Sequence, residues 1–531
     1  MTLLTFIILI VLGAIWGHHS PGDTTGPSGS DLLSNYPKTS TNVPVTQVGI
    51  NQLASNIGHV GVSVNFVWVL MTGFLVLFMQ VGFAFLVTGL TRAKNAGHMM
   101  MMNIAAFAIA FLAYYAVGFA FQFGGVGATS NLGGTPPLTG VFHLFSHANG
   151  GVLGLHGFFL QSSGSYDVGT MVLFLFEVVF METAGYIIIG AIAERISFAG
   201  FILAEISIGA IIYPIYGMWM WGGGWLAHLG TGPLSLGHGA VDFAGSGVVH
   251  ATGGWAALAL AMVLGPRIGK FNKDGSANAI PGHNLAFVVI GTLVLVFGWM
   301  GFNPGSTLGA TDLRIGLVAV NTLLAACVGF VIAMIMTDVK YGKPDISMSC
   351  NGMLAGLVAI TAGCAFVAPW AAAVIGLVAG WLVVESVAFW DRRHVDDPCG
   401  AISVHGVCGA WGVLSVGLFA DGTYGAGWNG VNGNVKGLFY GDVGQLWAQI
   451  FHVFVGFIWA WGIMYLIFKA AKHFMQIRVS EEAEIEGLDV PEFGALCYPD
   501  FVMHRSGAGH IMGAAVDVPA VEKAGAGSET S

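Results

Sequence analysis

Two histidines stand inside apolar stretches, where an ionisable ring could do chemistry. His250 lies in "VVHATGGWAAL" and His405 lies in "SVHGVCGAWGVL". A charged histidine is costly in a membrane core, so neutral rings are expected at both positions. Each neutral imidazole offers one N–H donor and one acceptor, so the two could share a hydrogen bond and line a narrow tube. Such a tube would accept a small neutral molecule or relay a proton. The alternative is a pair that only bonds one helix to another.

Asp242 opens the same stretch, "DFAGSGVVHATGGW", eight residues before His250. At about 1.5 Å of rise per helical residue it lies roughly 12 Å from that ring, which excludes a direct partnership. An aspartate at the start of an apolar segment is also a common helix N-cap, and this reading stays open beside a functional one.

The composition decides which class of protein holds these residues. The chain has 531 residues, of which 55% are hydrophobic and 9% charged, whereas soluble domains carry about 25% charged residues. We therefore predict an all-α polytopic membrane protein. The net charge of −10 does not favour nucleic acid. The six cysteines show no metal or disulfide spacing, and we find no nucleotide-binding loop, no metal cluster and no activated nucleophile. We expect no cofactor and no enzymatic activity.

Spans of about 20 apolar residues predict eleven transmembrane helices. They lie near 64–90, 98–121, 170–193, 197–220, 243–265, 284–304, 315–337, 350–367, 370–390, 401–419 and 446–470.

The basic residues orient these spans, because lysine and arginine favour cytoplasmic loops. Only Lys38, Arg314 and Lys436 fall on one side, so that side is predicted to be extracellular. The core then begins outside and the C-terminus is cytoplasmic. The other side carries Arg92, Lys94, Arg195, Arg267, Lys270, Lys273, Lys340, Lys343, Arg392, Arg393, Lys469 and Lys472.

Four regions follow along the chain. Residues 1–17 are apolar but short and predict a signal peptide, with a retained extra helix as the alternative. Residues 18–60 are polar and predict an extracellular linker. Residues 61–475 form the transmembrane domain, and residues 476–531 form a cytoplasmic tail that contains "SEEAEIEGLDVPEF".

The two histidine segments indicate an internal repeat. They lie in spans five and ten, which are five apart and therefore cross the membrane in opposite directions. This pattern is typical of an inverted repeat with its functional site near the midplane. We predict a five-helix inverted repeat followed by a final helix, with His250 and His405 as equivalent residues.

Several long motifs resemble the ammonium transporter (Amt/Mep/Rh) family, most closely its Amt branch. They are "GAIAERISF", "MWGGGWLAH", "DFAGSGVVH", "GWMGFNPGS", "VDDPCGAISVHGVCG" and "EIEGLDVPEFG". The resemblance covers roughly residues 60–500. It implies an eleven-helix protomer in the cell membrane, assembled as a homotrimer, with one narrow pore in each protomer and lipid around it.

The same resemblance assigns roles to individual residues. Read alone, the tryptophan could be an interfacial anchor, and each phenylalanine could simply pack against lipid or core. The family pattern instead implies paired pore histidines at His250 and His405, ammonium recruitment by Trp221, Ser306, Phe176 and Asp242, a gate of Phe180 and Phe302, and a lower pore lining at Trp299.

The chain departs from the family pattern at two places. Glu177 stands where an amide is common, and Met181 where a small residue is common. An acid at position 177 could face the outer vestibule and attract cations. For the other acids within spans, Glu182, Glu205 and Glu385, we expect packing or pairing between helices.

The expected function is ammonium transport. NH4+ would be recruited outside, lose its proton near the phenylalanine gate and pass the histidines as NH3, with or without a relayed proton. The alternative is an ammonium sensor with low flux. The tail resembles the family segment near which PII-type signal proteins dock.

Overall fold

The computed structural model describes residues 45–124, 132, 140–144, 150–161, 166–231, 234–426 and 433–499. The predicted signal peptide, most of the predicted linker and the tail beyond residue 499 lie outside these residues.

Eleven apolar helices form the described bundle, one at each predicted span. Ten are long and apolar enough to cross a membrane, whereas the eighth has only 15 residues. The all-α membrane architecture is thus confirmed. The helices are α1 Val45–Leu90, α2 Ala93–Phe123, α3 Val168–Ile192, α4 Phe198–Met220, α5 Ser246–Leu264, α6 Leu285–Gly305, α7 Ile315–Tyr341, α8 Ile346–Ile360, α9 Pro369–Arg392, α10 Ile402–Phe419 and α11 Val443–Ala471.

The first helix is longer than the hydropathy predicted. Residues 45–60, which the sequence assigned to a linker, are the first turns of α1. The structure describes α1 from Val45 onward, and residues 45–60 contain no proline, which would break a helix interior. Polar residues can continue a helix beyond an apolar span, so hydropathy underestimated its length.

Two strands of two residues each are the regular β-structure of the described chain. The strand β1 (Val141–Phe142) pairs antiparallel with β2 (Leu153–Gly154) in the connection between α2 and α3. Beside this hairpin, Gly151 forms a parallel bridge with Gly224 after α4. The hairpin therefore packs on the segment that carries the predicted recruitment tryptophan.

The helices α5 and α10 both begin with a π-helical turn. These turns are Ser246–Ala251 and Ile402–Val407, and each contains one of the two predicted pore histidines. Because π-helical turns are rare and concentrate at functional sites, their presence in both repeats supports the predicted equivalence of His250 and His405.

Small residues let α5 and α10 approach each other closely behind the histidines. Gly254 lies against the backbone of Gly406, and Gly409 lies against the backbone of Ser246 and Ala251. A side chain at either glycine would collide with main-chain atoms of the other helix. The small residues after each histidine thus have a packing role of the kind expected between membrane helices.

Two short helices, α12 (Glu481–Glu486) and α13 (Asp489–Phe493), cover one end of the bundle, which we call the tail side. Asp489 accepts hydrogen bonds from the backbone N–H groups of Gly97 and His98 at 3.0 and 2.8 Å. Glu492 accepts one from Phe198 N at 2.8 Å. The tail carboxylates therefore satisfy free N–H groups at the starts of α2 and α4, where such groups have no partner within the helix.

A buried ion network also lies on the tail side. Arg267 donates to both oxygens of Asp396 at 2.8 and 2.9 Å and to Glu194 at 2.9 Å, and Arg92 donates to Glu194 at 2.9 Å. Burial favours the neutral acids, but these guanidinium groups hold the pKa of Glu194 at about 2 and that of Asp396 at about 2. The network joins the ends of α1 and α3 to the connections after α5 and α9.

Candidate functional site

The two predicted pore histidines meet in the centre of the bundle. Their Nδ1 atoms lie 3.3 Å apart, and both side chains are buried. One ring must donate through Nδ1–H and the other must accept, so the pair takes opposite tautomers. The remaining nitrogens then differ, because one ring has an Nε2 lone pair and the other an Nε2–H. Nε2 of His250 has no protein partner among the described residues.

Aromatic rings stack on this pair. The His250 ring lies 5.0 Å from Trp299 and 5.3 Å from Phe302, with interplanar angles of 22° and 25°. The indole of Trp299 donates to Thr361 Oγ1 at 3.0 Å, which fixes the orientation of this ring. The structure thus brings together three residues that the sequence predicted separately, from α5 and α6.

The predicted gate is a tight ring stack above His250. Phe180 and Phe302 have centroids 4.0 Å apart and planes 24° apart, and Phe176 lies 4.6 Å from Phe180. All three rings are buried. Because these rings are in van der Waals contact, a molecule can pass between them only if they move apart.

Trp221 and Ser306 lie at the outer edge of this stack. Trp221 meets Phe180 edge-on, with centroids 6.4 Å apart, and its indole N–H donates to the carbonyl of Asp242 at 2.8 Å. Ser306 donates its hydroxyl to the carbonyl of Phe302 at 2.8 Å, which leaves the oxygen lone pairs free to accept. An aromatic face and a hydroxyl acceptor are suited to a cation with N–H donors.

Asp242 organises the backbone at the start of α5. Its carboxylate accepts from Gly245 N at 3.0 Å and from Gly247 N and Val248 N at 2.9 Å, and the side chain is fully buried. The geometry is that of a helix-start residue, as one of the two readings predicted. Asp242 contacts the outer edge of the stack through its backbone carbonyl, which accepts the hydrogen bond from the Trp221 indole.

Sequence reasoning missed the equivalent residue of the second repeat. Asp397 lies eight residues before His405 and accepts from Ala401 N at 3.0 Å and Ile402 N at 2.7 Å. Its burial raises the pKa to about 6, against the opposing effect of these backbone donors. The signal was available, because the same eight-residue spacing separates Asp242 from His250.

Two further neighbours carried no sequence signal. The buried ring of Phe83, from α1, lies 6.4 Å from the His405 ring and stacks on Tyr186. His452, from α11, is fully buried, and its Nε2 lies 3.8 Å from Asp242 Oδ2. Each is one aromatic residue in a long apolar helix, which sequence alone does not distinguish from packing.

The acids within the spans differ in their surroundings. Glu177 accepts from Gln122 at 3.4 Å, and Met181 beside it is buried. Glu385 pairs with Lys340, as the interhelical reading expected. Glu182 and Glu205 have no ion-pair partner among the described residues. Within the same residues, no three histidine, cysteine, aspartate or glutamate side chains converge as a metal site.

Comparison with known proteins relates this geometry to one family. The model of the Ammonium Transporter Family matches residues 67–498. The chain is 48% identical over 440 residues to "Ammonium transporter Amt2" of Archaeoglobus fulgidus, an alignment that covers 83% of this chain and 89% of the relative. It is 37% identical over 454 residues to "Ammonium transporter Amt1" of Haloferax mediterranei, with 83% and 80% covered.

Solved structures agree with these relatives. A structure named "Sensor Amt Protein" matches with a TM-score of 0.70 and 36% identity, covering 82% of this chain and 99% of that one. The crystal structure of Candida albicans Mep2 matches with a TM-score of 0.66 and 27% identity, covering 79% and 87%.

Proposed function

The chain belongs to the ammonium transporter family, and from this premise we propose that it carries ammonium across the cell membrane through the column of Phe180, Phe302, His250 and His405. The observation that supports this most directly is the 3.3 Å approach of the two Nδ1 atoms beneath the stacked phenylalanines. The relatives are named as transporters, which favours transport over catalysis.

Recruitment takes place at the outer edge of the stack. NH4+ binds with its charge against the face of Trp221 and one N–H on the hydroxyl oxygen of Ser306, while Phe176 bounds the site. A cation–π contact stabilises the ion by about 0.5–2 kcal/mol, modest enough to let it leave again. Asp242 acts indirectly, because its carboxylate is occupied by backbone N–H groups.

Deprotonation follows because the next step is closed to an ion, and the proton either returns to water on the recruitment side or is relayed along the histidines. The rings of Phe180 and Phe302 and the neutral histidines offer no counter-charge, and burying an uncompensated cation costs several kcal/mol or more. Neutral NH3 passes when the rings move apart. The histidines then accept or donate hydrogen bonds to it through Nε2, and their shared hydrogen bond provides a route for a relayed proton.

The assembly and the membrane orientation complete the proposal. The protomers form a homotrimer in the lipid bilayer, the tail side faces the cytoplasm, and a PII-type signal protein docks near α12 and α13. The basic residues of the tail-side loops support this orientation.

Measuring uptake and current together in liposomes tests the transport function. The purified full-length protein should take up ammonium faster than empty liposomes, and the charge moved per ammonium should show whether the proton follows. A paired His250→Leu and His405→Leu variant should abolish any proton-coupled current. Uptake no faster than in empty liposomes, with the protein folded, would contradict transport.

A sensor is the second candidate, since the chain is 36% identical to a structure named "Sensor Amt Protein". A sensor would bind ammonium at the same outer site but show little uptake. Saturable ammonium binding by the purified protein without uptake in liposomes would favour it.

A further inference from the structure

Two acids within the membrane-spanning helices lie close enough to interact electrostatically. Glu182 on α3 and Glu205 on α4 are 2% and 0% exposed. The Glu205 carboxylate lies against Gly185, which is one helical turn after Glu182 on the same face of α3. Gly185 therefore leaves the space that brings the second acid next to the first.

These carboxyls lack hydrogen-bond donors. Glu182 Oε1 and both oxygens of Glu205 are buried without a hydrogen-bond partner among the described residues. No basic nitrogen in the same part of the chain lies within 4.0 Å of either acid, whereas Glu194 and Glu385 both have such partners. Of the two expectations for these acids, packing or pairing between helices, an ion pair is not found among the described residues.

A third helix contributes another acceptor without a donor. Asn103 on α2 is 3% exposed; its amide nitrogen donates to Met99 O, but its Oδ1 has no partner. Ala110 of α2 packs against Gly209 of α4. Asn103 lies two turns before this contact on α2, and Glu205 lies one turn before it on α4. Both helices run in the same direction, so Asn103 is on the face of α2 toward Glu205 and about 4.5 Å nearer the tail side.

The unsatisfied atoms of Glu182, Glu205 and Asn103 are all acceptors, which identifies the missing component as a donor. Two ionised carboxylates without counter-charge would cost several kcal/mol each in the membrane core. We propose that Glu182, Glu205 and Asn103 form a proton-binding site outside the pore, loaded from the tail side of the protein. Each bound proton removes one charge and turns one carboxyl oxygen into an O–H donor for a neighbouring acceptor.

The surroundings favour a proton over a larger cation. Tyr186 on α3 is close enough to interact electrostatically with both acids, and its hydroxyl already donates to Gln80 of α1 at 3.2 Å. The set contains two carboxyls and one amide, whereas hard metal cations usually take six or more oxygens. The other titratable groups on the three helices that carry these residues are Lys94, His98, Tyr114 and Tyr115 on α2, Glu177 on α3, and Tyr213 and Tyr216 on α4. The neighbouring helices α5 and α10 add His250 and His405.

Access from the tail side follows from depth. Asn103 is ten residues from the start of α2 and Glu205 is seven from the start of α4, so they lie roughly 15 and 10 Å inside that end. Glu182 lies about 15 Å from the end of α3 on the same side. Along α4, Glu205 is therefore closer to the tail side than to Trp221, which lies roughly 24 Å away at the other end. Along α3, Glu182 lies roughly 9 Å from Phe176, so tail-side access depends on Glu205 and Asn103.

Infrared spectroscopy of the full-length protein in lipid tests this directly and does not depend on transport. The wild type should show a carboxylic-acid C=O band that shifts in D2O. Glu182→Gln and Glu205→Gln should each lose part of it, and the double variant should lose both parts. Glu385→Gln, which removes an ion-paired acid, should leave the band unchanged. The unfolding temperature of each variant checks that it is folded. If the glutamine variants do not fold, a double variant with Glu182→Met and Glu205→Leu replaces them.

Three results would overturn the proposal. The band could survive in the folded double variant. The wild type could show only carboxylate bands from these residues. Those carboxylate bands could respond to Na+, K+ or NH4+ at constant pH, which would assign the site to a cation instead. Loss of the band when pH is raised only on the tail side of oriented vesicles would support loading from that end.

Discussion

At the scale of single residues, the proposed mechanism makes the histidine pair the element that determines which species can cross. K+ and NH4+ are nearly the same size, so a tube selecting by size alone would pass both. Only NH4+ can lose a proton, and the neutral, buried surroundings of His250 and His405 favour the molecule that has lost its charge. Selectivity in the proposed mechanism therefore depends on the absence of any counter-charge in the column.

Acidic replacements should remove this selectivity. His250→Asp or His405→Glu places a carboxylate in the column and lowers the energy of a cation there, so we expect K+ to pass. The paired leucine variant is the control, because it changes the same positions without adding charge and should stay closed to K+. K+ flux into liposomes measures both. Acidic variants that exclude K+ while still carrying ammonium would show that the histidines are not the selective element.

Trp221 should affect affinity more than maximal rate. Losing a cation–π contact of about 0.5–2 kcal/mol corresponds to roughly 2–30-fold weaker recruitment, so Trp221→Leu should reduce uptake at low ammonium and matter little at saturation. Trp447→Leu is the matched control, because that indole is 52% exposed near the start of α11. A purely structural Trp221 would instead lower the amount of folded protein and leave the affinity unchanged.

At the scale of elements, the backbone conformation just before α5 requires a glycine at position 245. Gly245 has φ +110°, and a Cβ there would meet Val249 Cγ2 at 2.6 Å and Trp221 Cη2 at 3.1 Å. Gly269 also has positive φ, at +81°, but nothing lies within 4 Å of its Cβ direction. The two positions therefore separate backbone strain from steric collision.

Gly245→Ala should cost more than Gly269→Ala. The control carries only the backbone penalty of roughly 1–2 kcal/mol, whereas Gly245→Ala must also displace Val249 or Trp221. We expect a lower unfolding temperature and weaker ammonium uptake for Gly245→Ala alone. Equal effects of both substitutions would indicate that the space around Gly245 is not limiting.

Sequence predicted the elements better than their ends. Hydropathy located all eleven helices, because a membrane span needs a long apolar stretch wherever it occurs. It placed the start of α5 at residue 243, although Asp242 draws the backbone N–H groups of Gly245 and Gly247 onto its carboxylate and delays the helix to Ser246. It also missed the polar first turns of α1, since helix formation there does not depend on hydrophobicity.

The sequence predicted which residues belong to the candidate site but not the contacts between them. Repeated motifs identified His250 and His405, yet the 3.3 Å approach and the π-helical turns depend on how α5 and α10 cross. The unpaired state of Glu182 and Glu205 could not be foreseen either, because it depends on which residues α2 and α4 bring to α3. Such contacts between helices leave no pattern within a single segment.

At the scale of the whole molecule, the tail-side ion network ties distant connections together and should set the acid limit of stability. The pKa values of Glu194 and Asp396 are about 2, which is below the ordinary pKa values of these acids. Both acids therefore stabilise the fold fully at pH values above their ordinary pKa values. This contribution should be lost as pH falls from roughly 4 to 2. Unfolding temperatures measured across this range should fall, and less steeply in Glu194→Gln. A slope that Glu194→Gln does not change would contradict the assignment.

The tail is the other connection on this scale, and its contacts predict what its removal does. Arg478 reaches the carbonyls of Leu264 and Pro266 at 2.8 Å, whereas Asp489 and Glu492 cap the starts of α2 and α4. A chain that ends at Arg478 keeps the bundle but exposes these N–H groups. Losing such a cap typically costs about 1 kcal/mol. This loosens helix ends without unfolding a core of eleven helices, so we expect folded protein with reduced or unregulated transport.

A chain ending at Cys497 keeps these contacts and is the control. Ammonium uptake with and without a PII-type protein measures the effect, and an Arg478 truncation that matches the control in both would show that the tail does not act on the pore.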